Sequence, residues 1–575
     1  MEASATTIFN NLALANVASI LAALVPVQKG NVISWVLQDA LALGVLAVNP
    51  APKDITSVSQ LEKLNLDLQN RWVFKNAYDL PNVGNRTDWY TDTVFAGQQF
   101  VGTNPTTIKA APQELVAEFV GEAKKQNLQD VVDYLGSLTL DSLYVQDYRD
   151  FRDAVGVASD ADLKDGDGDG ARFQCAAVVL FNLSADGVLH PLAIVIDYKQ
   201  SVANSVTIFN KRLRASDSAA SEATDWPWRY AKLCAQTSDW ARHEIEVHLT
   251  DTHLVEEVTI VAALRAFADT HPVYTLLSPH WLRTLSLNAS ARNTLVPQII
   301  MRIVGFTEDQ SYKFINYSFN NFDWEGSYPP NDLKRRGFPT DQAELDGPKY
   351  HNYAFARDIL PMWNAIKSFV HEMLAISYTS DSDVASDADI QTWCDEIRGD
   401  DAGKLKSFPA KIETLAALED AISFCIHIAT NQHTAVNYLQ QYYMTFVPNK
   451  PAALCVPLPK TLAELQQYKE INIVNSYPVN RPAEWLLSSH VPWLLSFRVE
   501  DKNSLSKYAQ SLFQVNAGKK SPKPAEVATA TAAKNFYDSL VAFTDKMLQV
   551  SKSLDDQTIP YTVLHPAANA VSILI

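Results

Sequence analysis

Five of the twelve histidines in this chain crowd into one short stretch: His243, His248, His253, His271 and His280. The text reads HEIEVHLTDTH and then HPVYTLLSPH, with four, four, seventeen and eight residues between successive histidines. Imidazole is the commonest side-chain metal ligand, so this density calls for a metal explanation. Far downstream, His433 and Asn437 stand i,i+4 in FCIHIATNQHTAVNYLQ. That spacing puts an imidazole and a carboxamide on one face of an ordinary helix. A zinc peptidase is excluded. His243-Glu-Ile-Glu-Val-His248 has one residue too many for H-E-x-x-H, which needs an i,i+4 pair.

The same spacing sets a demand on the helix that carries the first cluster. In an α-helix five residues advance about 140° past a full turn, so rings five apart diverge. A π-type widening brings i and i+5 back onto one face, and such bulges are frequent at functional sites. His243, His248 and His253 therefore predict a strained, widened helix.

Around these residues the pattern is mainly helical. Amphipathic stretches cover 227–270, 291–305, 357–378, 410–446 and 530–553. CAAVVLFNL and HPLAIVIDY, separated by the turn-like SADGV, read as a β-hairpin. Residues 1–70 are helical by pattern, and 71–115, rich in aromatics, Asn and Gly, are expected to be loop-heavy. The run 518–534 reads as a surface loop entering a helix. Asp165, Asp167, Asp169 and Gly170 match the first half of a calcium loop, but position twelve is Ala176 and an apolar strand follows, so a plain turn is expected.

Composition narrows the class. A net charge of −17 disfavours a nucleic-acid partner, because phosphate binding needs clustered Lys and Arg. Five dispersed cysteines without a CxxC argue for reduced thiols. The start, MEASATTIFNN, lacks the basic region of a signal peptide, so a cytoplasmic location is expected. The apolar stretches Leu12 to Val27 and Val32 to Val48 fall short of the about 20 residues that cross a bilayer. Burial against the body and peripheral docking on a membrane surface both remain open for them.

The histidine pattern, with H-x-A-V-N downstream, resembles the lipoxygenase family. Trp228-Arg-Tyr-Ala-Lys232, Asn288-Ala-Ser-Ala-Arg292 (the family's N-x-x-A-R), Asp332-Leu-Lys-Arg-Arg-Gly337 and the end from Pro560 through Asn569-Ala-Val-Ser-Ile573 agree with it. The resemblance covers residues 71–575. It implies a large, mainly α catalytic domain over 71–575 with a small β-hairpin region, preceded by a helical extension over 1–70. The N-terminal portion lacks the alternating strands of the β-barrel module of plant and animal members, and is more like the bacterial-style forms.

By this resemblance His248, His253 and His433 are metal ligands, Asn437 is a weak fourth, and the main-chain carboxylate of Ile575 is the fifth. His243 and Gln440 support the centre from behind. His271 and His280 serve packing and hydrogen bonding. The implied ion is one non-haem iron, with manganese the less favoured alternative, since mixed N/O ligands suit both. The implied activity takes a hydrogen atom from the bis-allylic carbon of a polyunsaturated fatty acid (a 1Z,4Z-pentadiene). Dioxygen then adds to give a conjugated hydroperoxide, with no catalytic group beyond the metal's own hydroxide. Ala291 matches the oxygen-steering position, where Ala goes with S products and Gly with R, and Leu295 matches a leucine that clamps the substrate.

The chain departs from the family in three places. Leu574 and Ile575 follow the point where the terminal motif ends at Ile573, VPQIIMRIVGF replaces the usual continuation after Leu295, and the β-barrel module is not evident. Two other functions stay open: hydroperoxide isomerase or lyase on the same fold, and a non-catalytic, membrane-docking homologue.

Overall fold

The computed structural model describes residues 54–70, 81–496 and 499–574. Both N-terminal apolar stretches, Leu12 to Val27 and Val32 to Val48, lie outside the described residues. Of the extension expected over 1–70, the described part contains the helix Val58–Asn70. The chain forms two compact units, each built from several segments: one from residues up to 246 with 289–315 and 439–497, the other from 247–288, 316–438 and 498–575.

The first unit holds the β structure. Strands β1 (Lys109–Ala110), β2 (Leu143–Asp147), β3 (Val178–Leu183), β4 (Leu189–Val195) and β5 (Thr207–Phe209) pair in that order, each antiparallel to the next. The expected hairpin is β3–β4. Its turn closes through Gly187, whose φ of 84° is open to glycine at no steric cost. Pro191 sits inside β4 opposite Phe181, where the register shifts after Leu180. Proline cannot donate to a ladder, so a bulge is where a strand tolerates it. Helices α1 (Gln113–Lys125) and α2 (Gln129–Ser137) cover this sheet. Leu115, Phe119 and Ala123 repeat every four residues and bury one helix face with Val131 and Leu135 against Val145, Leu180 and Val195.

Two expectations meet details here. The aspartate–glycine run is a two-stranded ladder of Lys164–Asp165 with Arg172–Phe173, bent at Gly166 and Gly168. Asp167 pairs with Lys164 at 2.6 Å and Asp165 with Arg172, so protein cations balance charges that a calcium ion would need. Residues 81–115 are less loop-like than expected. Thr91 caps a helix over Asp92–Val101 that buries Val94, Phe95 and Phe100.

Helix α3 (Trp226–Ala241) is buried almost all round, and two of its charged groups are paired within the unit. Lys232 meets Asp92 at 2.9 Å, and Asp239 accepts from Asn104 at 2.7 Å and from Tyr148 at 2.8 Å. A π-helix, Arg242–Leu254, follows α3, and then α4 (Val255–Ala266).

The second unit is helical. α4 packs against the helix Ala388–Arg398, where Trp393 donates from Nε1 to the carbonyl of Thr259 at 3.1 Å. α5 (Ala354–Leu374) lies between α6 (Leu415–His427) and the long C-terminal helix. After α6 come a π turn, Ile428–Gln432, and α7 (His433–Asn437). α8 (Leu505–Ala517) and α9 (Pro524–Lys552) form a helical hairpin whose connector, 518–523, is exposed. Among the described residues no helix is long and apolar enough to cross a membrane.

Candidate metal centre

The predicted widening is present. His248 and His253 both lie in the 13-residue π-helix, where i→i+5 bonding stacks residues five apart. Thr252 reinforces it: its hydroxyl donates to the carbonyl of Val247, five residues back, at 2.8 Å. His433 arrives from a separate helix, directly after the second π turn. Gln432 ties these segments together, donating from Nε2 to Thr252 Oγ1 at 3.1 Å and to the carbonyl of Asp251 at 3.3 Å.

Three imidazoles converge as a result. Ring centroids are 4.9 Å apart for His248 and His253, 5.0 Å for His253 and His433, and 5.7 Å for His248 and His433. One ring nitrogen from each lies within 4.8 Å of the others, and all three residues are buried. The Nε2 atoms of His248 and His253 stand 3.2 Å apart. Asn437, also buried, brings its carboxamide to within 3.4 Å of His433 Nε2. A half turn of that amide presents oxygen in place of nitrogen.

This arrangement fits a metal. Neutral imidazole lone pairs pointed at one another in a dry space repel, and a cation satisfies all three at once. Three nitrogens and an amide oxygen form the mixed donor set that suits a first-row transition ion.

The other site residues are placed as follows. His243 lies in the π-helix and Gln440 opens the helix Gln440–Met444; both are fully buried and both belong to the first unit. Ala291 and Leu295, in the same unit, lie half-buried in another π segment, Ala291–Ile300, which contains Pro297. Ile575 lies outside the described residues. Ile573 and Leu574 before it are buried apolar side chains.

His271 and His280 hold structure. His271 Nδ1 accepts from Val273 N at 3.2 Å, capping a short helix, while its Nε2 faces Asp387 at 3.1 Å. His280 reaches the C-terminal segment. Close to the centre in sequence, Glu256 is fully buried and accepts from Trp281 Nε1 at 2.5 Å. Burial pushes its carboxyl up to about 8, so it is protonated at neutral pH. Burial likewise pushes His427 down to about 3.

One contributor was not visible as such in the sequence. Asn288 stands in the quoted N-x-x-A-R segment, yet its contact with His253 spans 35 residues and has no local signature.

Three buried imidazoles and a carboxamide, drawn from two helices with π turns, form a cluster that could hold one metal ion in a mainly α protein. Comparisons agree. A lipoxygenase family profile matches residues 47–496. The chain is 48% identical over 507 residues to a manganese lipoxygenase of Pleurotus sapidus, covering 88% of this chain and 77% of the relative. It is 28% identical to a mouse polyunsaturated fatty acid lipoxygenase, over 88% of this chain and 69% of that one. A crystal structure of a fungal lipoxygenase from Fusarium graminearum superposes with a TM-score of 0.85 at 40% identity, covering 94% of this chain and 90% of that chain. The chain belongs to the lipoxygenase family. It is an oxidoreductase of the dioxygenase type.

Proposed function

We propose that this chain oxygenates polyunsaturated fatty acids carrying a 1Z,4Z-pentadiene to conjugated hydroperoxides. A single manganese ion would be held by His248, His253, His433, Asn437 and the Ile575 main-chain carboxylate. The observation that carries the reading is the convergence of three buried ring nitrogens within 4.8 Å, in a chain of this family. Manganese is placed ahead of iron, reversing the order expected from sequence. The donor types accept either ion, and the 48%-identical fungal relative is named for manganese.

When bound, the ion supplies the one-electron redox chemistry that lets a bis-allylic C–H bond be broken. The chain's own residues do the rest. Three neutral imidazoles and a neutral amide keep the ligand charge low, which favours an oxidising centre. The burial of these side chains would shield a bound ion from bulk solvent. In this reading His243 and Gln440 support the centre, Leu295 holds the reactive carbon and Ala291 directs oxygen.

The test is elemental analysis of the purified protein together with diene absorbance on adding linoleic acid in air. Manganese and a rising diene signal are expected. A metal-replete sample without signal would overturn the reaction, and iron in manganese's place would overturn the choice of ion. Supplying a fatty-acid hydroperoxide without oxygen separates this activity from isomerase or lyase chemistry.

A further inference from the structure

His253 is held by an amide whose orientation leaves it no freedom. Asn288 is buried, 2% exposed. Its Nδ2 donates to the main-chain carbonyl of His253 at 2.8 Å and to Glu257 Oε2 at 2.9 Å. Both partners can only accept: a carbonyl has no hydrogen to give, and neither has a carboxylate. The amide is therefore fixed with its NH2 toward them. Its Oδ1 is thereby turned to His253 Nδ1, 2.8 Å away. An amide oxygen only accepts, so Nδ1 of that ring carries the hydrogen. The lone pair is left on Nε2, the atom that faces His248.

We propose that Asn288 is a positioning residue for the metal centre, acting through His253, and that Glu257 sets its polarity. Metal-bound histidines generally donate their second ring nitrogen to a carboxylate, carbonyl or water, which fixes tautomer and ring angle. Here a neutral amide stands between imidazole and carboxylate. It passes on orientation without offering a proton path. Flipping the amide would set its oxygen against two acceptors and its NH2 against a ring nitrogen. The wrong tautomer of His253 thus costs one buried hydrogen bond if the amide stays and two if it flips. The same amide also grips the His253 main-chain carbonyl, so ring and backbone are held by one side chain.

This inference rests on the metal reading above, and the experiment separates the two. Manganese affinity is measured by chelator competition on the purified full chain, with thermal melting of the metal-free protein alongside. Asn288→Leu, with the same branched skeleton and no polar atoms, is expected to weaken manganese binding about 10–100-fold. The exchange N288D/E257Q restores an acceptor for His253 Nδ1–H and supplies a donor from position 257. It leaves the His253 carbonyl without its donor, so it is expected to recover affinity in part, to above that of Asn288→Leu. A purely structural role predicts the opposite pattern, with affinity following the melting temperature and no recovery in the exchange. If Asn288→Leu does not fold, the exchange alone decides, because loss of manganese from a folded N288D/E257Q protein overturns the proposal. Unchanged affinity in Asn288→Leu also overturns it while leaving the metal site standing. An unaltered chain that binds no manganese or iron overturns the metal reading itself.

Discussion

His280 donates from Nδ1 to the main-chain carbonyl of Val571, 2.8 Å away across 291 residues of sequence. The bond is one of several that secure the C-terminal segment. Ser572 Oγ accepts from Leu282 N at 3.1 Å, and Val571 N donates to the carbonyl of Asn503 at 2.9 Å. The ring is wholly buried and packs edge-on to Tyr508 at 5.0 Å. A histidine in the crowded pattern thus serves as an anchor for the tail.

That anchor should be sensitive to acid. Burial pushes His280 down to about 4 from an ordinary 6.5. The unfolded chain takes up the proton first, so the stabilisation is present above about 6.5 and is lost as pH falls toward about 4. Thermal melts across that window should show a falling midpoint. His280→Asn keeps an N–H donor toward Val571 and removes the titration, so its profile should be flatter there. A profile of unchanged slope would assign the acid sensitivity elsewhere.

Glu256 has the opposite sign. Its folded-state pKa, raised to about 8 by burial, lies above the ordinary 4.5. The folded state holds the proton longer, so this group costs stability progressively as pH rises from about 4.5 to about 8. Glu256→Gln preserves an acceptor for Trp281 and removes the charge. The variant should melt like the unaltered protein near pH 4 and above it at pH 8. Equal melting at both would show that Glu256 is not the source.

Removal of a ligand should act on metal and activity together. His253→Ala and His433→Ala are each expected to lose bound metal and diene formation. Retention of both by either variant would take that histidine out of the ligand set.

The Asn569 amide links the tail to the helix of His433. Thr434 Oγ1 donates to its Oδ1 at 3.0 Å, its Nδ2 donates to Asn431, and all three residues are buried. Asn569→Ala leaves these partners unsatisfied and should destabilise the fold by about 1–3 kcal/mol. Denaturant unfolding reads this directly, and a loss near zero would mean that water replaces the amide.

Ala291→Gly should move the product from S toward R configuration, read by chiral chromatography of the hydroperoxide. An unchanged product would leave Ala291 as helix packing only.

Much of this was legible from residue spacing. The five-residue interval between His248 and His253 required a widened helix, and the π-helix Arg242–Leu254 supplies it. The β3–β4 hairpin followed from two β-branched runs around SADGV. What sequence did not disclose depends on long-range contacts. The helix Asp92–Val101 was obscured because Gly97 and two glutamines dilute its apolar face, while its cap and its packing decide the outcome. The third π segment, at Ala291–Ile300, carries no histidine interval to announce it. Asn288 and Glu257 stand in different helices, so no periodicity could join them to His253.

The widened turns make the ligand helix unusually forgiving of one kind of genetic change and intolerant of another. Deleting a single codon between His248 and His253 would let that stretch relax to plain α geometry. The pair would then stand i,i+4, still face alike, and leave the downstream helix in phase. The same deletion inside α4 has no slack to consume. Every residue beyond it would swing by about 100°, taking Ile260 and Ala263 out of their buried face. Length variation in this segment is therefore expected to cluster between the two histidines.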